Sequence, residues 1–527
     1  GSQTGSPMLD FLLGDIGSLT QSGPELGAFR QSVLSLYGQD DIRVNSRLTV
    51  TAGLRWGPYL PTIDDRGRGN YFSQAAFAAG IKTNRYDNAP PGLLFNSDPG
   101  IPYRYANDRY LDLEPRVGIA WDPTGKGDQS VRASYSIIYD SPPTYWYTNW
   151  SDNPPWGAEI TVPHPAGKLN DPWAGYPGGN PFPIPSKPSR TAPFVQGSIY
   201  QNSLLDAHLP YVQQWNISYQ KQLGSDWLLS ATYLGNKTTH LWIGIDQNPA
   251  VYMPGSCGAQ PCSTLANTNQ RRVLSLINPV SGAYYASMPN TYDGGNGEYN
   301  ALLLSVKHRF SRNFQILTNY TYSHCIDDGG NVGDMYGSQV QDPNNVRGDR
   351  GNCESDFRHI FNTSFVVSSP AFSQPWRQRL LSNWQLSPII NVTSGAPFTV
   401  YTGRDNSLTA VLEDRPNVVL PNSYGASGNV TKWLNPAAFA APLGMYGNAG
   451  RNSLTGPGLF NIDMAISRSF RLPLGEASKL EVRFEAFNVT NHVNFAVPTN
   501  TMTASNFGQI VSAADPRILQ LALKLHF

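Results

Sequence analysis

The sequence predicts an all-β protein, a transmembrane antiparallel up-and-down β-barrel with long extracellular loops and short periplasmic turns. Three features predict it: arms in which apolar and polar residues alternate with period two, connections that alternate between short and long, and a final strand that ends on a bare aromatic residue. In a meander closed on itself every second connection lies on the same rim. Alternating short and long links therefore sort tight turns to one side of a membrane and large loops to the other. A sandwich or a propeller has no reason to sort its loops in this way.

The last segment, Arg517 to Phe527, shows the pattern most plainly. Leu519, Leu521, Leu523, Leu525 and Phe527 fall on one face, and Gln520, Ala522, Lys524 and His526 on the other. Chain ends fray unless a sheet holds them, and a barrel supplies that hold by closing its last strand onto an earlier one. Composition agrees. Of 527 residues, 14% are charged and 12% aromatic, against roughly 25% charged in soluble domains. The 38 basic residues balance 38 acidic ones, which leaves no basic excess for a nucleic-acid partner. With no apolar run of about 18 residues to form a membrane helix, any crossing has to be made by strands. Residues 1 to 20 lack a basic start followed by an apolar core, so they do not read as a signal peptide.

In chain order, residues 8 to 20 read as a strand. Phe29 to Ile42 and Leu48 to Tyr59 read as a hairpin about Arg43 to Arg47, with Leu48, Val50, Ala52, Leu54 and Trp56 on one face. A loop of more than 50 residues follows, up to Leu113. Val117 to Trp121 and Val131 to Tyr139 pair about Pro123 to Asp128. Beyond the Trp- and Pro-rich stretch Ser141 to Pro210, Trp215 to Tyr219 pairs with Trp227 to Tyr233 across Gly224 to Asp226. Leu302 to Phe310 and Phe314 to Tyr322 form the next pair about Ser311 to Asn313. Phe357 to Ser368 and Trp384 to Tyr401 are further arms, and Phe460 to Ile466 pairs with Leu480 to Ala486. With the terminal strand, about fourteen strands result. Their length suits a tilted membrane crossing, and Trp56, Tyr59, Trp121, Tyr139, Trp215, Trp227, Tyr233 and Trp242 fall where an interfacial aromatic girdle would lie.

Four cysteines lie in loop-like stretches as two local pairs, Cys257 with Cys262 and Cys325 with Cys353. Two disulfides in an oxidising compartment are the expectation, with zinc as a rival that lacks a second ligand pair. No motif for nucleophilic, metallopeptidase or phosphate chemistry is present, and His324, His359 and His492 are isolated, so the chain reads as a non-enzyme. Asp342, Asp349, Glu354 and Asp356 offer oxygen ligands for calcium in an outer loop, although their spacing is not that of an EF-hand. Trp146, Tyr147, Trp150, Trp156 and Trp173 are candidates for stacking on sugars or peptide side chains; packing of the loops on one another would use the same rings.

Several phrases resemble a known family: YGQDDIRVNSRLTVTAGLRW (Tyr37 to Trp56), LEPRVGIAWDP (Leu113 to Pro123), VRASYSIIYD (Val131 to Asp140), the run Glu298 to Asp328, and FEAFNVTNHVNFAVP (Phe484 to Pro498). They are similar to the C-terminal barrel of TonB-dependent outer-membrane transporters, most of all to the Oar-like branch. The resemblance implies a 22-stranded barrel, an N-terminal plug and a TonB box, in the bacterial outer membrane. No plug or TonB-box candidate lies before residue 8, so residues 1 to 527 are expected to form one barrel domain, either as part of such a ring completed by further strands or closed into a smaller barrel. The expected partners are outer-membrane lipids, the barrel-assembly machinery and, given an upstream plug, the TonB complex. The expected role is uptake or export of a large ligand (oligosaccharide, peptide or protein); the alternative is a non-transporting surface protein for binding, adhesion or structure.

Overall fold

A computed structural model of the chain describes residues 7–527 apart from 24–26, 97, 143–144, 149–152, 164, 186, 203, 312, 330–339, 371, 412, 426–428 and 474–477. Thirteen strands of nine residues or more form one antiparallel meander, each paired with the next in sequence. They are β1 (Leu36–Asn45), β2 (Leu48–Trp56), β3 (Leu113–Trp121), β4 (Gln129–Tyr139), β5 (Tyr211–Leu223), β6 (Trp227–Asp246) and β7 (Pro289–Ser311). The series continues with β8 (Phe314–Asp327), β9 (His359–Ser368), β10 (Trp384–Thr393), β11 (Leu459–Arg471), β12 (Lys479–Phe487) and β13 (Ile518–His526). A two-residue strand, Gly351–Asn352, pairs on the end of β8 and makes the fourteenth.

Register explains why these segments choose the sheet. Val131, Tyr219, Ala231, Leu304, Tyr320, Phe361, Val392 and Phe460 are successive cross-strand partners, so one apolar row crosses eight strands from β4 to β11. One residue along each strand the row reads Ser130, Gln220, Ser230, Ser305, Asn319, Asn362, Asn391 and Asn461, all polar and uncharged. A slip of one residue would exchange the two rows and send amides into lipid, so the pattern fixes the pairing. In mid-sheet, Leu302 and Leu304 keep 41% and 42% of their surface exposed, so among the described residues nothing covers that part of the apolar face. Leu519, Leu521, Leu523, Leu525 and Phe527 are exposed as well. An apolar sheet face of this extent, bare of protein, is what acyl chains cover.

The connections after odd-numbered strands are short, and local chemistry closes them. Asn45 Oδ1 accepts from Arg47 N at 2.8 Å in the two-residue turn between β1 and β2. Between β3 and β4 the Asp122 carboxylate accepts from the backbone N–H groups of Thr124, Gly125 and Gly127, with both glycines at positive φ. The connection between β9 and β10 departs from the expected tight turn, since residues 369–383 carry a helix, Pro375–Leu381. Connections after even-numbered strands have 30 residues or more, and on that rim they pack together into a cap. The main buried clusters of the described residues lie there rather than between strands: Phe72, Tyr86, Phe95, Trp156, Phe194 and Tyr285 in one, Tyr59, Tyr105, Trp146, Tyr147 and Trp242 in another.

Several expectations need correction. Residues 8 to 20 do not form a barrel strand: Pro7–Leu13 is helical, and Ser18–Ser22 pairs in the cap with Glu159–Pro163. The run MLDFLL lacks two-residue alternation, which is the property a half-buried strand requires. The first arm is Leu36–Asn45 rather than Phe29 to Ile42, because Phe29–Arg30 pairs with Ile63–Asp64 in the cap. The tenth arm stops at Thr393, after which Pro397–Phe398 joins Leu454–Thr455. Tyr59 and Trp242 are buried in the cap and are not girdle residues, whereas Trp121, Trp227 and Trp384 stand partly exposed beside the short connections. Among the described residues β1 and β13 each have one unpaired edge, so the sheet is open.

Candidate functional site

The long loops form a partly open cavity of about 1510 Å³. Its walls come from three connections, residues 140–210, 247–288 and 394–458, and from Gly17 and Ser18 before β1, with Glu159, Tyr176, Asn269, Arg272, Arg404 and Glu413 among the lining groups. That volume exceeds the roughly 300–1,000 Å³ of small-molecule pockets. Both charge signs and an aromatic ring are present, which suits a polar ligand of several units.

Two adjacent arginines fasten these walls. Arg271 donates to the carbonyl oxygens of Val251 and Leu408 at 2.6 and 2.9 Å, joining two loops. Arg272 is buried, donates to Asn248 O at 2.6 Å, and faces Asp246 at 3.4 Å. Burial lowers the Arg272 pKa, and the Asp246 carboxylate opposes that effect. The wall at residues 403–411 bends sharply: Leu408 and Ala410 have φ of 57° and 62°, a left-handed conformation that side chains seldom adopt. Asp405 holds it there, accepting from Thr409 N at 3.0 Å and Ala410 N at 2.9 Å. Beside it, burial pushes the Asp414 carboxyl up to about 6 and raises Glu413 too.

The aromatic candidates fall elsewhere. Trp146 is buried, its Nε1 donating to Thr291 Oγ1 at 3.0 Å, and Tyr147 stacks on Tyr105 and hydrogen-bonds Tyr59. Trp156 packs edge-on against Tyr86 and Phe95, with the Arg85 guanidinium 5.1 Å from its ring. Trp173 donates from Nε1 to Gln21 Oε1 at 2.9 Å and meets Tyr176, whose residue lines the cavity. These four rings join the loops to one another, and Trp150 lies outside the described residues. The two disulfides, Cys257–Cys262 and Cys325–Cys353, are both formed.

The four calcium candidates do not converge. Asp349 pairs with Arg415, Asp356 pairs with Arg358 and accepts from Cys325 N, and Asp342 caps the N–H of Asn344; Glu354 is exposed. His324 joins Asp356 at 3.3 Å, His359 meets the Tyr320 hydroxyl at 2.8 Å, and the His492 ring meets Phe460 edge-on. Sequence reading missed the cavity walls, Arg271, Arg272, Asp405 and Glu413, because loop residues carry no periodicity that reveals what they face. It also missed His208, His240 and Asp293, separated by 32 and 53 positions and brought together by the fold.

The family model for the outer membrane beta barrel domain matches residues 1–520. Among solved structures, the outer membrane transporter YddB of Escherichia coli is similar at a TM-score of 0.49 and 10% identity, over 94% of this chain and 45% of that one. FpvA of P. aeruginosa, bound to pyoverdines, gives a TM-score of 0.42 at 11% identity over 94% and 38% of the two chains. The FrpB iron transporter of Neisseria meningitidis gives 0.39 at 12%, over 93% and 44%. The chain therefore spans less than half the length of these proteins. A search of curated protein sequences found no match.

Proposed function

The chain belongs to the outer membrane β-barrel domain family and to the bacterial outer membrane, and from that premise we propose that it is the greater part of the barrel of a TonB-dependent transporter of the Oar-like branch. In this reading the cap binds a large ligand, an oligosaccharide, peptide or protein, and the barrel passes it across the membrane. The observation that carries the reading is a cavity of about 1510 Å³, walled by three long loops, together with a sheet whose polar row is unbroken across eight strands. A pure adhesin needs an outer binding surface but has less use for a deep recess of that size between its loops.

Strand parity supports a larger ring. β1 and β13 both run from the long-loop rim to the short-turn rim, so direct pairing of the two would be parallel. An antiparallel ring holds an even number of strands, so closure calls for an odd number of further ones. Nine would complete the 22 implied by the resemblance. The residues before β1 join the cap through Ser18–Ser22 and Phe29–Arg30, the position a loop between two barrel strands would occupy. Lipids and the barrel-assembly machinery are the partners that such a ring requires.

The test uses the full-length protein. Purified in detergent, it is expected to retain the periplasmic domain of TonB in a pull-down, and to lose it when a proline is placed in the TonB box. A correctly folded full-length protein that carries no plug and retains no TonB would instead support surface binding without transport.

A further inference from the structure

On the long-loop rim, β6 and β7 continue past their pairing with β5 and β8, which stops at Thr239 and Gly297, and there the ladder between them breaks. Register shifts fall between Thr239 and Leu241 and again between Leu241 and Ile243 on β6. His240 on β6 and Asp293 on β7 are both left out of the pairing, and His240 takes φ of 59°. A bulge re-aims a side chain, and a left-handed histidine in the middle of a strand is held there against a local cost. Gly295 permits the close approach: a Cβ there would lie 2.5 Å from Ile243 Cδ1 and 2.6 Å from Leu241 O.

His208 joins these two from the end of the connection that precedes β5. Its backbone N–H and its Nδ1 each lie 2.8 Å from Asp293 Oδ2, and its carbonyl oxygen accepts from Trp242 Nε1. His240 Nδ1 lies 2.9 Å from the Asp293 carbonyl oxygen, and the two imidazoles stack with centroids 4.5 Å apart. Each of the three residues brings a ligand atom within 4.8 Å of the other two. His208 Nδ1 and Asp293 Oδ2 thus face each other across 2.8 Å, and an ion that displaces the hydrogen between them would meet both atoms at once. Asp112 adds a second carboxylate to the surroundings. It is 3% exposed, its Oδ2 has no hydrogen-bond partner, and its charge is coupled to His208.

We propose that His208, His240 and Asp293 form a binding site for one divalent transition-metal ion of the zinc class. Two imidazole nitrogens and a carboxylate oxygen suit zinc, copper or nickel, and they suit calcium or magnesium poorly. Bonds of about 2 Å hold ligand atoms roughly 3 to 3.5 Å apart, so His208 Nδ1 and Asp293 Oδ2, now 2.8 Å apart, part slightly on binding while the His240 ring swings toward them from within 4.8 Å. Three protein ligands leave a fourth position for water. Because His208 belongs to a long loop while His240 and Asp293 belong to the sheet, the ion would fasten the cap to the barrel wall.

The experiment uses the full-length protein in detergent, with any affinity tag removed and metals stripped by chelator. Zinc chloride is titrated calorimetrically, and cobalt chloride is followed by its visible absorption. One equivalent of zinc at micromolar affinity or tighter is expected, with no uptake of calcium or magnesium under the same conditions. His208→Ala and His240→Ala should each weaken binding at least a hundredfold. His324→Ala, a histidine outside the cluster, should leave it unchanged. Heat-modifiable migration on gels confirms that each variant has folded, and His208→Gln with His240→Gln replaces the alanine pair if that pair does not fold. Absence of a stoichiometric ion in the wild type, or full binding in the folded double variant, would overturn the proposal and leave the three residues as a hydrogen-bonded bracket.

Discussion

Arg415 and Asp349 form a buried ion pair between two long loops, with Arg415 Nη2 2.7 Å from Asp349 Oδ1 and the side chains only 5% and 6% exposed. Asp349 Oδ2 also accepts from Gln341 N at 3.1 Å, while Gln341 Oε1 accepts from Arg415 N at 2.7 Å, so the contact is a closed network. Removing one partner leaves the other charge buried and alone, at about 3 to 5 kcal/mol. Arg415→Ala should therefore loosen residues 340–352 in hydrogen exchange. Arg415→Met combined with Asp349→Leu should restore much of the protection, because no lone charge remains.

Leu304 and Ser305 are chain neighbours that stand on opposite faces of the sheet, in the apolar and the polar row respectively. Lysine at a lipid-facing mid-strand position costs roughly 2 to 4 kcal/mol and far less on the lumen side. Leu304→Lys should thus lower the folding free energy in lipid vesicles by that amount, and Ser305→Lys should change it little. Urea titration of refolding into vesicles separates the two, and equal effects would refute the assignment of faces.

Ala410 sits in the left-handed region within the cavity wall. A side chain there costs about 1 to 2 kcal/mol relative to glycine, part of which glycine loses again through the freedom of the unfolded chain. Ala410→Gly is expected to raise loop stability by about 1 kcal/mol. Asp405→Ala should act in the opposite direction, because it strips the acceptor from Thr409 N and Ala410 N. Protease sensitivity of residues 403–411 in the two variants provides the comparison.

The barrel was legible in the sequence because lipid imposes a one-dimensional rule. Leu304 has to differ from Ser305, and Phe361 from Asn362, and the same contrast repeats on each strand until the topology follows. The cap obeys no such rule. Trp146, Trp156 and Trp173 look alike in sequence whether they face a ligand or one another, and only the fold shows that Thr291, Phe95 and Gln21 meet them. Phe29–Arg30 and Pro397–Phe398 have the β character of barrel arms, yet the first pairs with Ile63–Asp64 in another loop and the second with Leu454–Thr455 at the far end of its own. Cys325 and Cys353 were legible as a pair through their number and loop context. The cluster of His208, His240 and Asp293 depends on two bulges, which leave no mark in a pattern of apolar and polar residues.

The acidic wall of the cavity should respond to pH. Asp414 is buried, and its Oδ2 accepts from Ser407 N at 2.6 Å. Its Oδ1 has no hydrogen-bond partner, and burial raises its folded pKa to about 6. An unfolded aspartate titrates near 3.9, so between about pH 4 and 6 the folded loop holds a proton that the unfolded loop releases. Stability there rises as pH falls, and the penalty for the buried charge is complete above pH 6. Glu413, raised in the same direction by burial, adds to the effect. Hydrogen exchange at residues 402–411, corrected for intrinsic rates, should show stronger protection at pH 5 than at pH 8. In Asp414→Asn with Glu413→Gln the difference should vanish, with protection at both pH values close to the wild type at pH 5. An undiminished pH dependence in that double variant would place the titrating group elsewhere.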